Sequence, residues 1–236
     1  MKISAGILAS VASGLVAISG CAYDNYEAPQ NLLTGRIVYE GEPVGLKQTG
    51  TGQDYNVLEL YQPGFEGSAS IPVYVNQDGT FSAMLFKGTY MLVAKDGAGP
   101  WVDSGTELYF DVRGDTEIDF PVTPYYVIRN VKFSVDDEGM LTAAFSVERG
   151  AFTLINGKPD ALIESISLYI NNTRFVDDVT NRKKVDDTSL TIGDHTITVS
   201  LKDAALADYP VLYARIAVGT KGVSPKIYSP GSVQVK

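Results

Sequence analysis

The chain has one cysteine, Cys21, and the residues before it give that thiol a specific chemistry. Met1-Lys2 is a short positive start, and residues 3–18 are uncharged and rich in small and aliphatic side chains. A large apolar residue and two small ones, Ile18-Ser19-Gly20, precede the thiol. This order predicts a lipoprotein signal peptide over residues 1–20, with Cys21 accepting a diacylglyceryl group before cleavage. The alternative is a transmembrane anchor, but the apolar run is shorter than the roughly 20 residues that span a bilayer.

Acylation of Cys21 would attach the mature chain to membrane lipid and use its only thiol. The sequence then leaves no cysteine for a disulfide, a metal site or a thiol nucleophile. The polar segment at residues 21–31 follows as a lipidated tether. Its acidic residues Asp24 and Glu27 resemble the export signal of bacterial surface lipoproteins.

The charge balance excludes one class of partner. Without the leader the chain has 18 basic and 28 acidic residues, a formal charge of −10, because Lys2 is the one charge that the leader removes. Binding to nucleic acid draws most of its non-specific affinity from basic side chains that neutralise phosphates. We therefore expect no nucleic-acid partner.

Residues for nucleophilic or acid–base catalysis do not form a recognisable set. The single histidine, His195, follows Asp194, and no G-x-S-x-G sequence supplies a nucleophilic serine. Glycoside hydrolysis needs only two suitably spaced carboxyl groups. The paired acids lie in expected turns, however: Asp136-Asp137, Asp177-Asp178 and Asp186-Asp187. We predict that the chain is not an enzyme and has no catalytic residue.

Of the possible metal sites, a calcium site has the most support in the sequence. Asp136, Asp137 and Glu138 provide oxygen ligands, but they lack the spaced D-x-[DN]-x-[DN]-G pattern of a dedicated loop. Gly139 fits a plain hairpin turn equally well. We therefore expect no metal site and no cofactor.

Aromatic side chains offer a binding chemistry instead, because a ring can stack against the apolar face of a sugar. The only tryptophan, Trp101, lies in a Gly-rich loop over residues 95–104. It can serve as an exposed sugar-binding platform or fold back as a lid on the core. Tyr55, Tyr125 and Tyr126 are further candidates for glycan binding. Alternation along a strand places Tyr125 and Tyr126 on opposite faces.

Short runs of β-branched and aromatic residues, separated by Gly, Asp-Gly and Pro, predict an all-β protein. The length fits two tandem β-sandwich domains. We place the first at residues 32–122 and the second at residues 125–236. Within the first, strands at 106–112 and 117–122 are expected to pair across the intervening turn. About seven strands in the second domain suggest an immunoglobulin-like sandwich.

Two local patterns resemble known modules. One is a run of Gly, Pro, Asp-Gly and aromatic positions that resembles the carboxypeptidase-regulatory-like, or transthyretin-like, β-sandwich: Gly35, Ile37, Gly41, Pro43, Val44, Asp78, Gly79, Phe81, Gly88 and Tyr90. The other is the stretch at residues 206–218, which looks like the late strand of a fibronectin type III module. The second domain is therefore expected to be of the fibronectin type III or immunoglobulin-like type.

The whole mature chain is similar to the two-domain outer-membrane lipoproteins of domain-of-unknown-function family 3823. The lipidation site with Tyr23–Pro29, the Gly-Pro-Trp loop at residues 99–101 and the junction at residues 122–126 support this resemblance. It implies a cell-surface protein of a polysaccharide utilisation system, working with a TonB-dependent transporter and its glycan-binding lid lipoprotein. It supplies no binding or catalytic residue.

Two functions remain open from the sequence. The first is a non-catalytic surface lipoprotein that binds polysaccharide next to the transporter. The second is a structural subunit of the transporter complex that contacts no glycan. An exposed aromatic stripe flanked by polar side chains would favour the first, and a broad apolar patch over one sheet would favour the second.

Overall fold

The computed structural model describes residues 27–48, 56–64, 69–151 and 162–236, so Cys21 and Tyr55 lie outside the described residues. The described residues form strands and turns without a helix, which confirms the predicted all-β class. No helix in this part of the chain is long and apolar enough to cross a membrane. The strands are β1 (Asn31–Tyr39), β2 (Glu42–Pro43), β3 (Leu58–Tyr61), β4 (Ile71–Val73), β5 (Thr80–Leu85), β6 (Gly88–Ala94), β7 (Glu107–Val112), β8 (Thr116–Glu117), β9 (Phe120–Pro121), β10 (Tyr126–Val135), β11 (Met140–Arg149), β12 (Ile163–Asn171), β13 (Lys183–Asp186), β14 (Gly193–Ser200), β15 (Tyr213–Thr220), β16 (Ile227–Tyr228) and β17 (Val233–Gln234).

The first sandwich packs two sheets face to face. One sheet has the order β2-β1-β5, with β8 and β9 also paired to β1, and the other has the order β4-β3-β6-β7. Residues alternate between core and solvent along each strand, as a sheet with one buried face requires. Leu33 and Phe81 from one sheet and Leu60 and Leu92 from the other are buried in the core between them.

The expected hairpin between residues 106–112 and 117–122 is wrong. Strand β7 pairs with β6, whereas β8 and β9 pair in parallel with β1 in the opposite sheet. The intervening turn crosses from one sheet to the other, and its Asp115 accepts a 2.9 Å hydrogen bond from the backbone of Leu32. Sequence proximity suggested a hairpin, but the turn connects strands of the two different sheets of the sandwich.

The second sandwich packs the sheet β10-β11-β14 against the sheet β13-β12-β15-β16, with β17 also paired to β15. The predicted turn between β10 and β11 is present. Gly139 has φ +80°, and the Asp136 carboxylate accepts a 2.8 Å hydrogen bond from the Met140 backbone. The Asp136 carboxylate, one of the candidate calcium ligands, therefore stabilises the turn.

A fully buried arginine, Arg215 on β15, joins the two sandwiches. Its Nη1 donates to Gln77 Oε1 at 3.2 Å, and its Nη2 donates to the Gln77 carbonyl. Within the second domain its Nε donates to the Ser229 carbonyl at 2.8 Å, and the guanidinium lies 4.7 Å from the centre of the Tyr228 ring. Burial lowers the pKa of Arg215 to about 10, against the opposing effects of Tyr228 and Asp177, so it stays charged at neutral pH.

Gln77 also connects the domains through its side-chain amide. Its Oε1 accepts a 3.0 Å hydrogen bond from the Val176 backbone, and its Nε2 donates to the Arg174 carbonyl at 2.8 Å. One amide from the first domain thus completes the hydrogen bonding of three groups in the second. Removing a hydrogen-bond partner from a buried charge lowers the stability of the folded protein, because the charge has given up its water and the remaining groups do not replace the lost hydrogen bond.

We predict that Gln77→Ala lowers the free energy of unfolding by about 1–3 kcal/mol, because it removes a side-chain partner from the buried Arg215 guanidinium. Urea denaturation of the mature chain measures the effect. Gln234→Ala is the matched control, since Gln234 is exposed and donates only to the Lys236 carbonyl. Equal stability of the two variants would contradict the assigned role of Gln77.

Candidate functional site

Two copies of one tripeptide lie side by side on the outer face of the sheet β4-β3-β6-β7. They are Glu59-Leu60-Tyr61 on β3 and Glu107-Leu108-Tyr109 on β7. Both strands pair antiparallel with β6, so they run in the same direction on either side of it. Met91 is directly opposite both tyrosines, and Val93 is directly opposite both glutamates. We call this surface the Glu-Leu-Tyr face.

The leucine of each copy turns toward the core, and the glutamate and tyrosine therefore turn outward. Leu60 is fully buried and Leu108 is partly buried, whereas Tyr109 is 61% exposed and Tyr61 is half-buried. Neighbouring strands of a sheet lie about 4.8 Å apart. Because β6 lies between β3 and β7, the two tyrosines stand roughly 10 Å apart, with Met91 between them. The result is a row of two tyrosines with a methionine between them, in which Tyr109 is exposed and Tyr61 and Met91 are half-buried.

Each tyrosine is held by the glutamate of its own tripeptide. Tyr61 donates its hydroxyl hydrogen to Glu59 at 2.9 Å, and Tyr109 donates to Glu107 at 3.0 Å. These hydrogen bonds, with a smaller effect of burial, raise the pKa of both phenols. Both hydroxyls therefore stay protonated at neutral pH and keep donating to the carboxylates, which restrains the ring orientations.

A third carboxylate lies beside the aromatic row. Asp111 on β7 is opposite Thr89 on β6 and accepts a 2.7 Å hydrogen bond from its hydroxyl. Arg113 donates to the other Asp111 oxygen at 3.0 Å. The hydrogen bond from Thr89, followed by that from Arg113, lowers the pKa of Asp111. The face thus combines rings that can stack on apolar C–H surfaces with carboxylates that accept hydrogen bonds from hydroxyl groups.

The exposed-platform interpretation of Trp101 is wrong, because the side chain is only 2% exposed. Its backbone forms a bridge with Pro124, and the adjoining Val102 N–H donates to the Thr123 carbonyl at 3.0 Å. The indole lies directly over Gly99, where an added Cβ would be 2.0 Å from Trp101 Cε2. Trp101 is therefore the lid on the core, the alternative that the sequence left open.

The other predicted aromatic residues do not supply an exposed ring row either. Tyr126 is 3% exposed and belongs to the hydrophobic core, and Tyr125 is half-buried against that core. Burial, with a smaller contribution from Asp103, raises the pKa of Tyr125. Tyr55 lies outside the described residues, so its proposed role stays a prediction.

The single histidine has a structural environment. His195 is 5% exposed, its Nδ1 lies 2.8 Å from an Asp187 oxygen, and its Nε2 lies 2.9 Å from the Thr191 carbonyl. Both ring nitrogens therefore face oxygen acceptors of one loop, and neither meets a nucleophile. Among the described residues, no three His, Cys, Asp or Glu side chains converge as metal ligands would.

The described residues also line a cleft of about 510 Å³ between the domains. Prolines and aliphatic residues make up most of its walls, and Glu42, Arg129 and Asn130 add polar groups. Tyr228 and Tyr39 also line it, but Tyr228 is 2% exposed and Tyr39 is half-buried. Neither ring is as exposed as Tyr109 on the Glu-Leu-Tyr face.

The residues of the Glu-Leu-Tyr face were not selected from the sequence. The repeated tripeptide was a usable signal, since the same three residues occur in two strands of one predicted domain. The sequence does not show that both copies pair with β6, and it is this pairing that makes them neighbours.

Family models match nearly all of the described chain. The N-terminal domain of DUF3823, a protein of unknown function, matches residues 31–123. The domain of unknown function DUF3823_C matches residues 126–232. No curated protein matches the chain.

Solved structures of similar proteins have the same two-domain fold. A DUF3823 family protein from Parabacteroides merdae is 36% identical with a TM-score of 0.77, covering 89% of this chain and 100% of its own. One from Bacteroides ovatus is 31% identical with a TM-score of 0.72, covering 87% and 98%. A "putative carbohydrate binding protein" from Bacteroides uniformis is 22% identical with a TM-score of 0.66, covering 88% and 99%.

We predict that Gly99→Ala destabilises the protein by about 1–3 kcal/mol, because the added methyl group must displace the Trp101 indole that covers it. Urea denaturation gives the stability, and the emission of the single tryptophan should shift to longer wavelength as the ring becomes more exposed. Gly114→Ala is the control, since nothing lies within 4 Å of its added Cβ. An unchanged emission spectrum in Gly99→Ala would contradict the lid assignment.

Proposed function

The chain belongs to the DUF3823 family, and from its geometry we propose that it is a non-catalytic lipoprotein that binds glycan on the Glu-Leu-Tyr face. The observation that supports this most strongly is the row Tyr61, Met91 and Tyr109, in register on three strands and bordered by carboxylates. Such a row combines the two kinds of contact that a sugar offers, an apolar ring face and a set of hydroxyl donors.

The size and shape of the row fit an extended sugar chain. The two tyrosines are roughly 10 Å apart across the sheet, which is comparable to the length of a disaccharide unit. A glycan lying across the strands can therefore meet one ring with each of two nearby sugars. Glu59 and Glu107 stand beside the rings in the next row, within reach of hydroxyl groups on one edge of such a chain.

The alternative function, a structural subunit that contacts no sugar, would favour a broad apolar surface over one sheet. On the Glu-Leu-Tyr face, charged residues border the row of Tyr61, Met91 and Tyr109: Glu59 and Glu107 flank Val93 in the next row, and Asp111 lies beyond Tyr109 on β7. This pattern favours glycan binding over packing against another protein. The carbohydrate-binding name of the Bacteroides uniformis relative agrees in kind, although at 22% identity that likeness concerns the fold alone.

We further propose that acylated Cys21 anchors the protein in the outer membrane, exposed at the cell surface. The signal-peptide pattern before Cys21 supports the anchor, and the family resemblance supports the membrane and the partners. On this account the protein holds polysaccharide close to a TonB-dependent transporter and the glycan-binding lid lipoprotein of that transporter.

The carboxylates around the aromatic row restrict the kind of glycan that can bind there. Glu59, Glu107 and Asp111 surround the aromatic row, and Arg113 is already paired with Asp111. Anionic sugars such as uronates would meet carboxylates of the same charge, and like charges at short range repel. We therefore propose that the ligand is a neutral polysaccharide.

We predict that Tyr61→Ala and Tyr109→Ala each weaken glycan binding by about tenfold, or about 1.4 kcal/mol, because each removes one stacking ring. Affinity electrophoresis of residues 22–236 through gels containing a panel of polysaccharides measures binding. Phe175→Ala is the control, since Phe175 is 52% exposed but lies in the second domain. If no glycan retards the wild-type protein, or if the tyrosine variants bind normally, the structural-subunit alternative gains support.

We also predict a preference for neutral over anionic glycans at physiological salt. A neutral galactan, mannan or glucan should retard the protein, whereas polygalacturonate should not. Replacing both acids, as Glu59→Gln with Glu107→Gln, should weaken neutral binding several-fold, because hydrogen bonds to carboxylates are about twice as strong as those to amides. The double change Asp137→Asn with Asp208→Asn, which also removes two negative charges but at exposed positions of the second domain, is the control. Tighter binding of polygalacturonate than of neutral glycans would contradict this assignment.

A further inference from the structure

Three exposed apolar side chains form a patch on the first domain, on the side opposite the Glu-Leu-Tyr face. Leu32, Met84 and Phe86 are 39%, 50% and 47% exposed. Leu32 and Met84 are direct partners across the antiparallel pair β1 and β5. Phe86 directly follows the last residue of β5, at the start of the connection to β6, so it lies at the end of the same strand as Met84. We call these three residues the apolar patch.

The patch belongs to the outer surface of the sheet β2-β1-β5. The neighbours Leu33 and Leu85 are almost fully buried and point into the sandwich, so Leu32 and Met84 point out of it. Packed sheets lie about 10 Å apart, with their outer surfaces facing in opposite directions. A surface that covered the apolar patch would therefore leave the Glu-Leu-Tyr face pointing away from it.

The patch also lies at the start of the first strand. Leu32 is the second residue of β1, which begins at Asn31, ten residues after Cys21. Ten residues reach at most about 35 Å when fully extended, and a flexible chain of that length averages about 17 Å. If Cys21 is acylated, this end of the domain therefore remains close to the lipid surface.

We propose that the apolar patch lies on the surface of the membrane and holds the Glu-Leu-Tyr face away from the bilayer. This inference rests on the proposed lipidation of Cys21. Aromatic and aliphatic side chains insert favourably at the boundary between headgroups and acyl chains. Three side chains suffice because the acyl anchor makes the contact intramolecular and raises the effective concentration.

The test places a tryptophan probe on each side of the domain in the full lipidated protein. Phe86→Trp reports on the apolar patch and Tyr109→Trp on the Glu-Leu-Tyr face, while the buried Trp101 gives a constant background. Each protein is reconstituted into vesicles of phosphatidylcholine and phosphatidylglycerol, with and without brominated acyl chains. We expect brominated lipid to quench about half of the added emission of Phe86→Trp, because interfacial side chains reach the acyl boundary, and to leave Tyr109→Trp unchanged.

Mass measurement of the chain before reconstitution separates the two proposals. An acylated protein whose Phe86→Trp emission is not quenched, or is quenched no more than that of Tyr109→Trp, overturns the membrane contact and leaves lipidation intact. A chain without acyl groups overturns the lipoprotein assignment, and the membrane contact with it. A Phe86→Trp emission that shifts to shorter wavelength as the concentration of the non-acylated chain, residues 22–236, is raised without detergent or vesicles would show that a second protein copy covers the patch and would also overturn the proposal.

Discussion

The pairing of β3 and β7 with the shared strand β6, in one register, is the constraint on which the proposed binding surface depends. In each Glu-Leu-Tyr copy the leucine is the core residue, and Leu60 is fully buried. A slip of one residue would move glutamate and tyrosine into the sandwich and leucine into water. The hydrophobic core therefore determines which rings face solvent, and the common partner Met91 determines that they do so side by side.

A second constraint acts between the domains. Arg215 is buried with its charge, and much of its hydrogen bonding comes from Gln77 of the other sandwich. The buried guanidinium favours one arrangement of the two domains, because moving them apart would leave its charge without these hydrogen-bond partners. Trp101 packs over Gly99, and its backbone forms a bridge with Pro124 in the segment that connects the two sandwiches. A side chain that looked suited to binding is thus used for packing beside this connection.

The sequence was most informative where structure depends on local pattern. Alternation predicted the strands, and the acidic turn ending in Gly139 predicted the β10–β11 hairpin, because both signals act over a few residues. The pairing of residues 106–112 was wrong because a strand pattern does not state which sheet the strand joins. The burial of Trp101 was equally non-local, since it depends on the approach of residues 123–125. For the site, the repeated tripeptide was visible, but its two copies become neighbours only through β6.

The most direct test of the central claim is a nuclear magnetic resonance titration of methionine methyl groups with a neutral oligosaccharide. Residues 22–236 contain three methionines, Met84, Met91 and Met140. Met91 lies between the two tyrosines, Met84 lies on the opposite side of the first domain, and Met140 lies in the second. Glycan binding on the Glu-Leu-Tyr face should shift the Met91 signal and leave the other two in place. Binding that shifts Met84 or Met140 while Met91 stays unchanged would contradict the account.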